Sequence, residues 1–311
     1  MATAKALLIL SENWTLLGPR DLNALVRWAR EAEDAGIDGV MISEHIVLTG
    51  AAGANGIMDN PRDYAMPGNQ DPFMPWPNSL VLLSAIAAVT TRLRLVGGAV
   101  ITPLRHPLML AREFGTLDIV SEGRLVILPT VSWHADEYAA LGIPFNKRGA
   151  ILDEQLAALA QVWAHSPAEF HGEFFDFEDV YLEPKAWRPE GPRLWFGGQT
   201  LHGKVLERLV KYGHGWNPLG VPAANEVALL ADALRQAGRD IADIEMVGGA
   251  RATFPDNNSV ADIGRALESV PDQITQGFTT ICVKPSMFID DPADMGKFCR
   301  DVVRRLEAMS S

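Results

Sequence analysis

The sequence predicts a closed (β/α)8 TIM barrel, and three observations carry that prediction. Eight short β-type runs alternate with eight longer segments rich in Ala, Leu, Glu and Arg, which implies parallel strands joined by right-handed helical crossovers. The strand runs are continuously apolar rather than alternating, as expected when both faces of a sheet are covered. The length, 311 residues, is long for one ordinary domain and normal for one such barrel. A doubly wound open sheet is the competing architecture, but the G-x-G-x-x-G turn that should follow its first strand is missing.

The elements follow in order. "KALLIL" is the first strand, and the helical pattern of residues 21–35 stops at Gly36, a residue suited to a helix C-terminus. "DGVMIS" is the second strand, followed by a helix over 79–90 and the strand "RLRLVGGAVI". A helix over 108–120, the strand "GRLVILPTV" and a helix over 150–164 complete the first half. The second half reads as "RLWFGG", a helix over about 202–212, a short strand near 213–216 and a helix over 223–237. "IEMVGGARATF", a helix over 260–270, "FTTICVKP" and a closing helix over 292–309 finish the chain. Two segments interrupt this rhythm. Residues 46–78, after the second strand, are rich in Gly, Pro and Asn and too long for a routine connection, which suggests an active-site loop. Residues 168–190, after the fourth helix, read as a β-hairpin or extended insertion carrying aromatics. No internal repeat or low-complexity tract is present, so residues 1–311 read as one domain.

Composition narrows the function classes. Hydrophobic residues make up 48% and charged residues 21%, the profile of a soluble globular protein with a large core. Lys plus Arg number 27 against 39 Asp plus Glu, a net charge of −12. That disfavours nucleic acid or an anionic membrane as partner, while leaving room for a local basic pocket. Cys282 and Cys299 lack metal-ligand spacing and are too few for a disulfide framework, so a reducing cytoplasm is the expected compartment. The apolar run "AKALLIL" is short for a signal peptide, and no stretch approaches a membrane span.

In an α/β barrel the chemistry sits at the C-terminal ends of the strands. That rule selects Asn13 and Trp14 after the first strand, Glu44 and His45 after the second, and 98–102 in the third. It also selects 130–134 after the fourth strand and 197–200 after the fifth. His45 is the strongest candidate, because imidazole exchanges protons near neutrality; the alternative is a structural histidine tying the long loop down. Glu44 points to the opposite side of an extended strand, so one of the pair braces a neighbouring strand end while the other faces the cavity. In "WFGGQT", two glycines admit close backbone approach and Thr200 can cap the next helix, an anion site or simply a tight turn. Trp133 and His134 beside "ADEY" wall a flat ligand or belong to core and solvent. The Trp76, Phe73 and Met74 side chains of "DPFMPWP" form an apolar lid or pack the loop on the rim. Arg105, His106 and Arg148 read as residues that position loops and helix starts. There is no nucleophile elbow, H-E-x-x-H, C-x-x-C or P-loop, and no metal site is expected.

The run "TTRLRLVGGAVITPLRHPLMLAREFGTLDIVSEGRLVI" resembles the bacterial luciferase-like (LLM) class of flavin- and deazaflavin-dependent oxidoreductases. So do "EDAGIDGVMISEH", "SWHADEYAALGIPFNKRGAILDE", "FHGEFFDFEDVYLEPK" and "RLWFGGQT…YGHGW", together covering roughly residues 5 to 220. The resemblance implies an α/β barrel with His45 as active-site histidine, braced by Glu44. It places Gly98 and Ala99 at a bulge with a non-prolyl cis peptide beneath the cofactor ring, and Gly197, Gly198, Gln199 and Thr200 at the cofactor phosphate. From their places at the strand ends and in the long loop, Trp14, Trp76, Trp133 and His134 are the residues expected to face the substrate. One departure stands out: where the family has alternating glycines, this chain has Leu128, Thr130 and Ser132 around Pro129. Either the ring shifts, or Thr130 and Ser132 donate hydrogen bonds to it, or cofactor binding weakens.

The resemblance implies an oxidoreductase acting on a small apolar organic substrate, with F420 narrowly favoured as hydride carrier. The alternative cofactor is FMN, delivered reduced by a separate flavin reductase and used in monooxygenation. From another class, a non-catalytic ligand-binding barrel with a degenerate cofactor site also fits strand four. A homodimer and a partner flavin or F420 reductase are implied by resemblance alone.

Overall fold

The computed structural model describes residues 4–309 apart from 199 and 221. Eight parallel strands close into a barrel: β1 (Lys5–Ile9), β2 (Gly39–Ile42), β3 (Arg94–Ile101), β4 (Leu125–Thr130), β7 (Arg193–Gly197), β8 (Gly215–Asn217), β9 (Glu245–Gly249) and β10 (Phe278–Val283). They pair in that order, with β10 returning to β1. The chain between β4 and β7 carries an antiparallel hairpin, β5 (Ala168–His171) with β6 (Asp176–Val180), where the aromatic insertion was expected. The helices are α1 (Leu22–Asp34), α2 (Ser79–Ala87), α3 (Pro107–Val120), α4 (Ala135–Ala140), α5 (Arg148–Ala164), α6 (Gly203–Tyr212), α7 (Ala224–Gln236), α8 (Ile263–Ala266), α9 (Val270–Thr275) and α10 (Met295–Met309). No helix among the described residues is long and apolar enough to cross a membrane.

Side-chain alternation along each strand divides the core in two. Leu7, Ile9, Met41, Val96, Val126, Leu128, Trp195, Val247 and Cys282 fill the barrel interior. Their neighbours, among them Leu8, Val40, Ile42, Leu95 and Ile127, point outward against the helices. Fully burying one such aliphatic side chain contributes about 1.5–3 kcal/mol. At the N-terminal end of the strands Arg94 meets Glu245 at 2.7 Å and lies 5.6 Å from the Trp195 ring centre. That ion pair lies across the floor of the barrel.

Local chemistry fixes the crossovers. Asn78 caps α2 by accepting the Val81 N–H at 3.0 Å, and His106 Nδ1 caps α3 by accepting the Leu108 N–H at 3.2 Å. Pro107 then opens α3, a position where its missing N–H costs nothing. Two expectations need correction. The helix expected over 260–270 is two short helices, because Pro271 lacks the N–H that would extend α8 and instead opens α9. The strand expected over 244–254 ends at Gly249, after which the chain has reached the barrel rim.

Candidate active site

Strand β2 ends at Ile42, and the next three residues distribute the polar groups. Ser43 Oγ meets Ser11 Oγ at 2.8 Å, joining the ends of β1 and β2. Glu44 and His45 then diverge, as side chains of an extended segment must. The Glu44 carboxylate is fully buried. It receives both terminal nitrogens of Arg105 at 2.7 and 3.1 Å, the Ser79 hydroxyl at 2.7 Å and the Ile101 N–H at 3.2 Å. Glu44 therefore braces the end of β3 and the start of α2. It is not the brace of His45, because its oxygens are spent on the opposite side of the strand.

The carboxylate that holds His45 comes from α4. His45 is 8% exposed at its side chain, and its Nδ1 lies 3.3 Å from Oε2 of the fully buried Glu137. The Ile46 and Val47 N–H groups donate to the other Glu137 oxygen at 2.5 and 3.3 Å, and the Ser132 hydroxyl donates to Oε2 at 3.3 Å. Burial by itself would raise the Glu137 pKa; the His45 hydrogen bond and charge, with the two backbone donors, outweigh it and hold the carboxyl below its ordinary range. With Nδ1–H donating to a carboxylate, Nε2 is the His45 nitrogen without a hydrogen bond among the described residues. That is the arrangement in which an imidazole exchanges a proton at Nε2.

Three aromatic rings gather on this histidine, and a fourth packs behind them. Trp76, from the long loop, stands edge-on to His45 with centres 5.1 Å apart, and Trp133 does so at 5.7 Å. Trp14 packs edge-on against Trp76 at 5.5 Å, and the His134 ring centre lies 6.3 Å from that of His45. Trp76 Nε1 is buried and has no hydrogen-bond partner among the described residues. His134 behaves differently from the other three. It is 2% exposed and its Nε2 accepts the Thr49 N–H at 3.1 Å, so it pegs the start of the long loop. Burial lowers its pKa despite the Glu137 charge, which suits a neutral ring accepting at Nε2. Phe73 is 92% exposed and takes no part in the lid.

The third and fourth strands form the platform beside this cluster. The Gly98–Ala99 peptide is cis and non-prolyl, and the pairing of β3 with β4 shifts register there. A Cβ on Gly98 would sit 3.1 Å from the Met41 side chain, so the glycine makes room for Met41 while half-buried Ala99 rests on the interior cluster. The three residues that replace glycines on β4 go to three different places. Leu128 turns into the barrel interior and is 7% exposed. Ser132 adopts φ +56°, and its hydroxyl donates to Glu137 rather than standing free for a cofactor. Thr130 is half-buried at the end of β4.

The turn after β7 is arranged less simply than expected. A Cβ on Gly197 would meet the Asn217 carbonyl oxygen at 2.4 Å, so this glycine serves the approach of β8. Gly198, at φ +150°, donates its N–H to the same oxygen at 3.3 Å and cannot offer it to an anion. Gln199 lies outside the described residues. Thr200 is exposed and does not cap α6, whose N-cap is His202 without a side-chain hydrogen bond. The uncapped first turn of α6 and the Thr200 hydroxyl are the donors available here.

Arg105 and His106 take the positioning roles expected of them, and Arg148 does so by bonding the Phe145 carbonyl at 2.8 Å and lying 3.7 Å over its ring. Glu137 and Lys284 escaped the sequence reading. The signal for Glu137 was the acidic pair 136–137 at the first turn of a short helix; for Lys284 it was a cation directly after an apolar strand.

Comparison with known proteins completes the description. An uncharacterised protein of Mycobacterium tuberculosis is 35% identical over 169 residues, 53% of this chain and 57% of that protein. The chain thus spans little more than half the length of that relative. Among solved structures, the monooxygenase RslO1 from Streptomyces bottropensis superposes with a TM-score of 0.72 at 21% identity, covering 99% of this chain and all (100%) of that one. The coenzyme F420-dependent tetrahydromethanopterin reductase from Methanopyrus kandleri gives 0.68 at 13% identity, covering 98% and 100%. At such identities the structural likeness speaks to the barrel fold. The model of the luciferase-like monooxygenase family matches residues 5–270, most of the chain, and with the barrel in hand the chain belongs to that family.

Proposed function

We propose that the chain is a flavin-type oxidoreductase that uses F420 and acts on a small apolar organic substrate. The observation that carries this reading is the convergence, at one barrel end, of the His45–Glu137 pair, the Gly98–Ala99 bulge and the unpaired donor Trp76 Nε1. A deazaflavin, when bound, supplies a hydride-carrying ring. Its ring would rest beside Ala99 and Thr130, with its phosphate at Thr200 and the first turn of α6. Glu137 holds Nδ1–H of His45, so Nε2 gives or takes the proton that accompanies hydride transfer. The Trp14, Trp76 and Trp133 rings exclude water from that nitrogen and present apolar surface to the substrate. Burial of Leu128 and diversion of Ser132 onto Glu137 favour a working cofactor site over a degenerate one.

FMN is the second reading, and one observation favours it. Cations near the rim are matched by carboxylates, Arg62 to Asp290, Arg105 to Glu44 and Lys284 to Glu12, which leaves them little to offer the polyanionic tail of F420. The same proposal includes a flavin or F420 reductase as partner and a homodimer; the exposed Val81, Met109 and Val120 of α2 and α3 suit the latter. The experiment is His45→Ala, assayed by consumption of reduced cofactor against a panel of apolar carbonyl compounds. Turnover should fall by about one order of magnitude or more with cofactor affinity largely intact. Unchanged turnover removes His45 from the mechanism.

A further inference from the structure

Lys284 is the first residue beyond β10, and its side chain is fully buried at the barrel opening. A buried ammonium needs partners for three N–H donors. Lys284 Nζ donates to the Asp63 carbonyl at 2.6 Å and stands 3.8 Å from Oε2 of Glu12. The same Glu12 oxygen accepts the Ala65 N–H at 2.9 Å. The remaining surroundings are π faces: Nζ lies 5.0 Å from the Tyr64 ring centre and 5.8 Å from that of Trp14. Glu12 reaches this point from a left-handed turn at φ +62° directly after β1.

One ion pair therefore grips the long loop on both sides of a single residue. Lys284 takes the carbonyl before Tyr64, Glu12 takes the N–H after it, and Tyr64 is held between. Tyr64 and Ala99 are the two half-buried residues that rest on the interior cluster, one from the loop and one from the β3 bulge. On the far side the loop is secured by Asn60 Nδ2, bonding the carbonyls of Asp256 and Ser259 at 3.1 and 3.0 Å, and by Arg62 to Asp290.

We infer that Lys284 and Glu12 form a backbone clamp on residues 63–65, which makes Tyr64 the wall of the cleft opposite the Gly98–Ala99 bulge and the residue that limits substrate size. The clamp stands on the geometry alone, whereas the size-limiting role rests on the oxidoreductase reading.

Two measurements on the full chain without cofactor test the two parts. Hydrogen exchange at the Ala65 amide should rise tenfold or more in Lys284→Met and in Glu12→Gln, with the Ile46 and Val47 amides unchanged because Glu137 holds those. Exchange at Ala65 within twofold of the parent in a cooperatively melting variant overturns the clamp. Glu12, 12% exposed at its side chain, supplies the tolerant variant should Lys284→Met lose its fold. For the wall, tryptophan fluorescence reads binding of 1-alkanols of increasing length. Tyr64→Ala should accept chains at least two carbons longer than the parent does, and Tyr64→Phe should behave as the parent. An unchanged length limit, or no alkanol binding by either protein, overturns the size-limiting role. Failure of F420 and FMN to bind would instead strike the oxidoreductase reading and leave the exchange result standing.

Discussion

Glu137→Gln is the most instructive substitution because it changes charge while keeping shape. The native carboxylate accepts from the Ile46 and Val47 N–H groups, the Ser132 hydroxyl and His45 Nδ1. A glutamine retains one acceptor oxygen and must turn its amide toward the other donors. The favourable choice keeps the oxygen on Ile46 and Val47 and points the amide at His45, whose Nδ1 must then become an acceptor. The ring proton moves to Nε2, and the nitrogen facing the cleft loses its free lone pair. By analogy with other His–carboxylate pairs, the wrong tautomer costs about 10²–10⁴-fold in turnover. Stability falls as well: hydrogen bonds to a charged group are worth about 1.5–3 kcal/mol against about 1 for neutral ones, so weakening the two backbone bonds alone costs about 1–4 kcal/mol. Urea denaturation reads the stability, ¹⁵N NMR of the His45 ring reads the tautomer, and steady-state kinetics read turnover. A variant with the parent tautomer and turnover within threefold would refute the assignment of Glu137 as the residue that positions His45.

Three further outcomes follow from the charged and buried groups. Glu137 and Glu245 both titrate below their ordinary 4.5: burial raises each, but His45 and backbone donors overcome it for one, Arg94 and Thr280 for the other. Depressed carboxylates stabilise the fold above their unfolded pKa, so the melting temperature should plateau above roughly pH 5 and fall as pH drops through the lowered values; Glu245→Gln should flatten that fall, and an unaltered profile would contradict it. Arg105→Met leaves Glu44 buried with Ser79 and Ile101 alone and should cost about 3–5 kcal/mol in urea denaturation; a loss below about 1 kcal/mol would show that the pair braces nothing. Burial pushes the Cys282 and Cys299 thiols up to about 12, so both should resist Ellman's reagent at pH 8 until urea is added, and fast native labelling of Cys282 would mean the barrel interior is open.

Much of this site was legible in the sequence because barrel geometry turns strand ends into addresses. Once "DGVMIS" is a strand, Glu44 and His45 have to be at the rim, on opposite sides. The long loop announced itself by its Gly, Pro and Asn content, and its Trp76 does reach the histidine. The partner of His45 was not legible, since α4 is six residues long, too short for a periodic pattern to reveal which face Glu137 presents. Proximity misled here: Glu44 is adjacent in sequence, yet the pleat sends it away from His45. The glycine replacements on β4 could not be resolved either, because the left-handed turn at Ser132 decides where its hydroxyl points. Lys284 looked like an ordinary strand end, and only the fold brings Glu12 and residues 63–65 to it.

The most direct test of the account is a titration of the purified chain with F420 and FMN side by side, read by quenching of the Trp14, Trp76 and Trp133 fluorescence. Saturable micromolar binding of one of them, weakened by a Gly98→Val change at the bulge, is the predicted result. Binding of neither cofactor by a protein that melts cooperatively would contradict it.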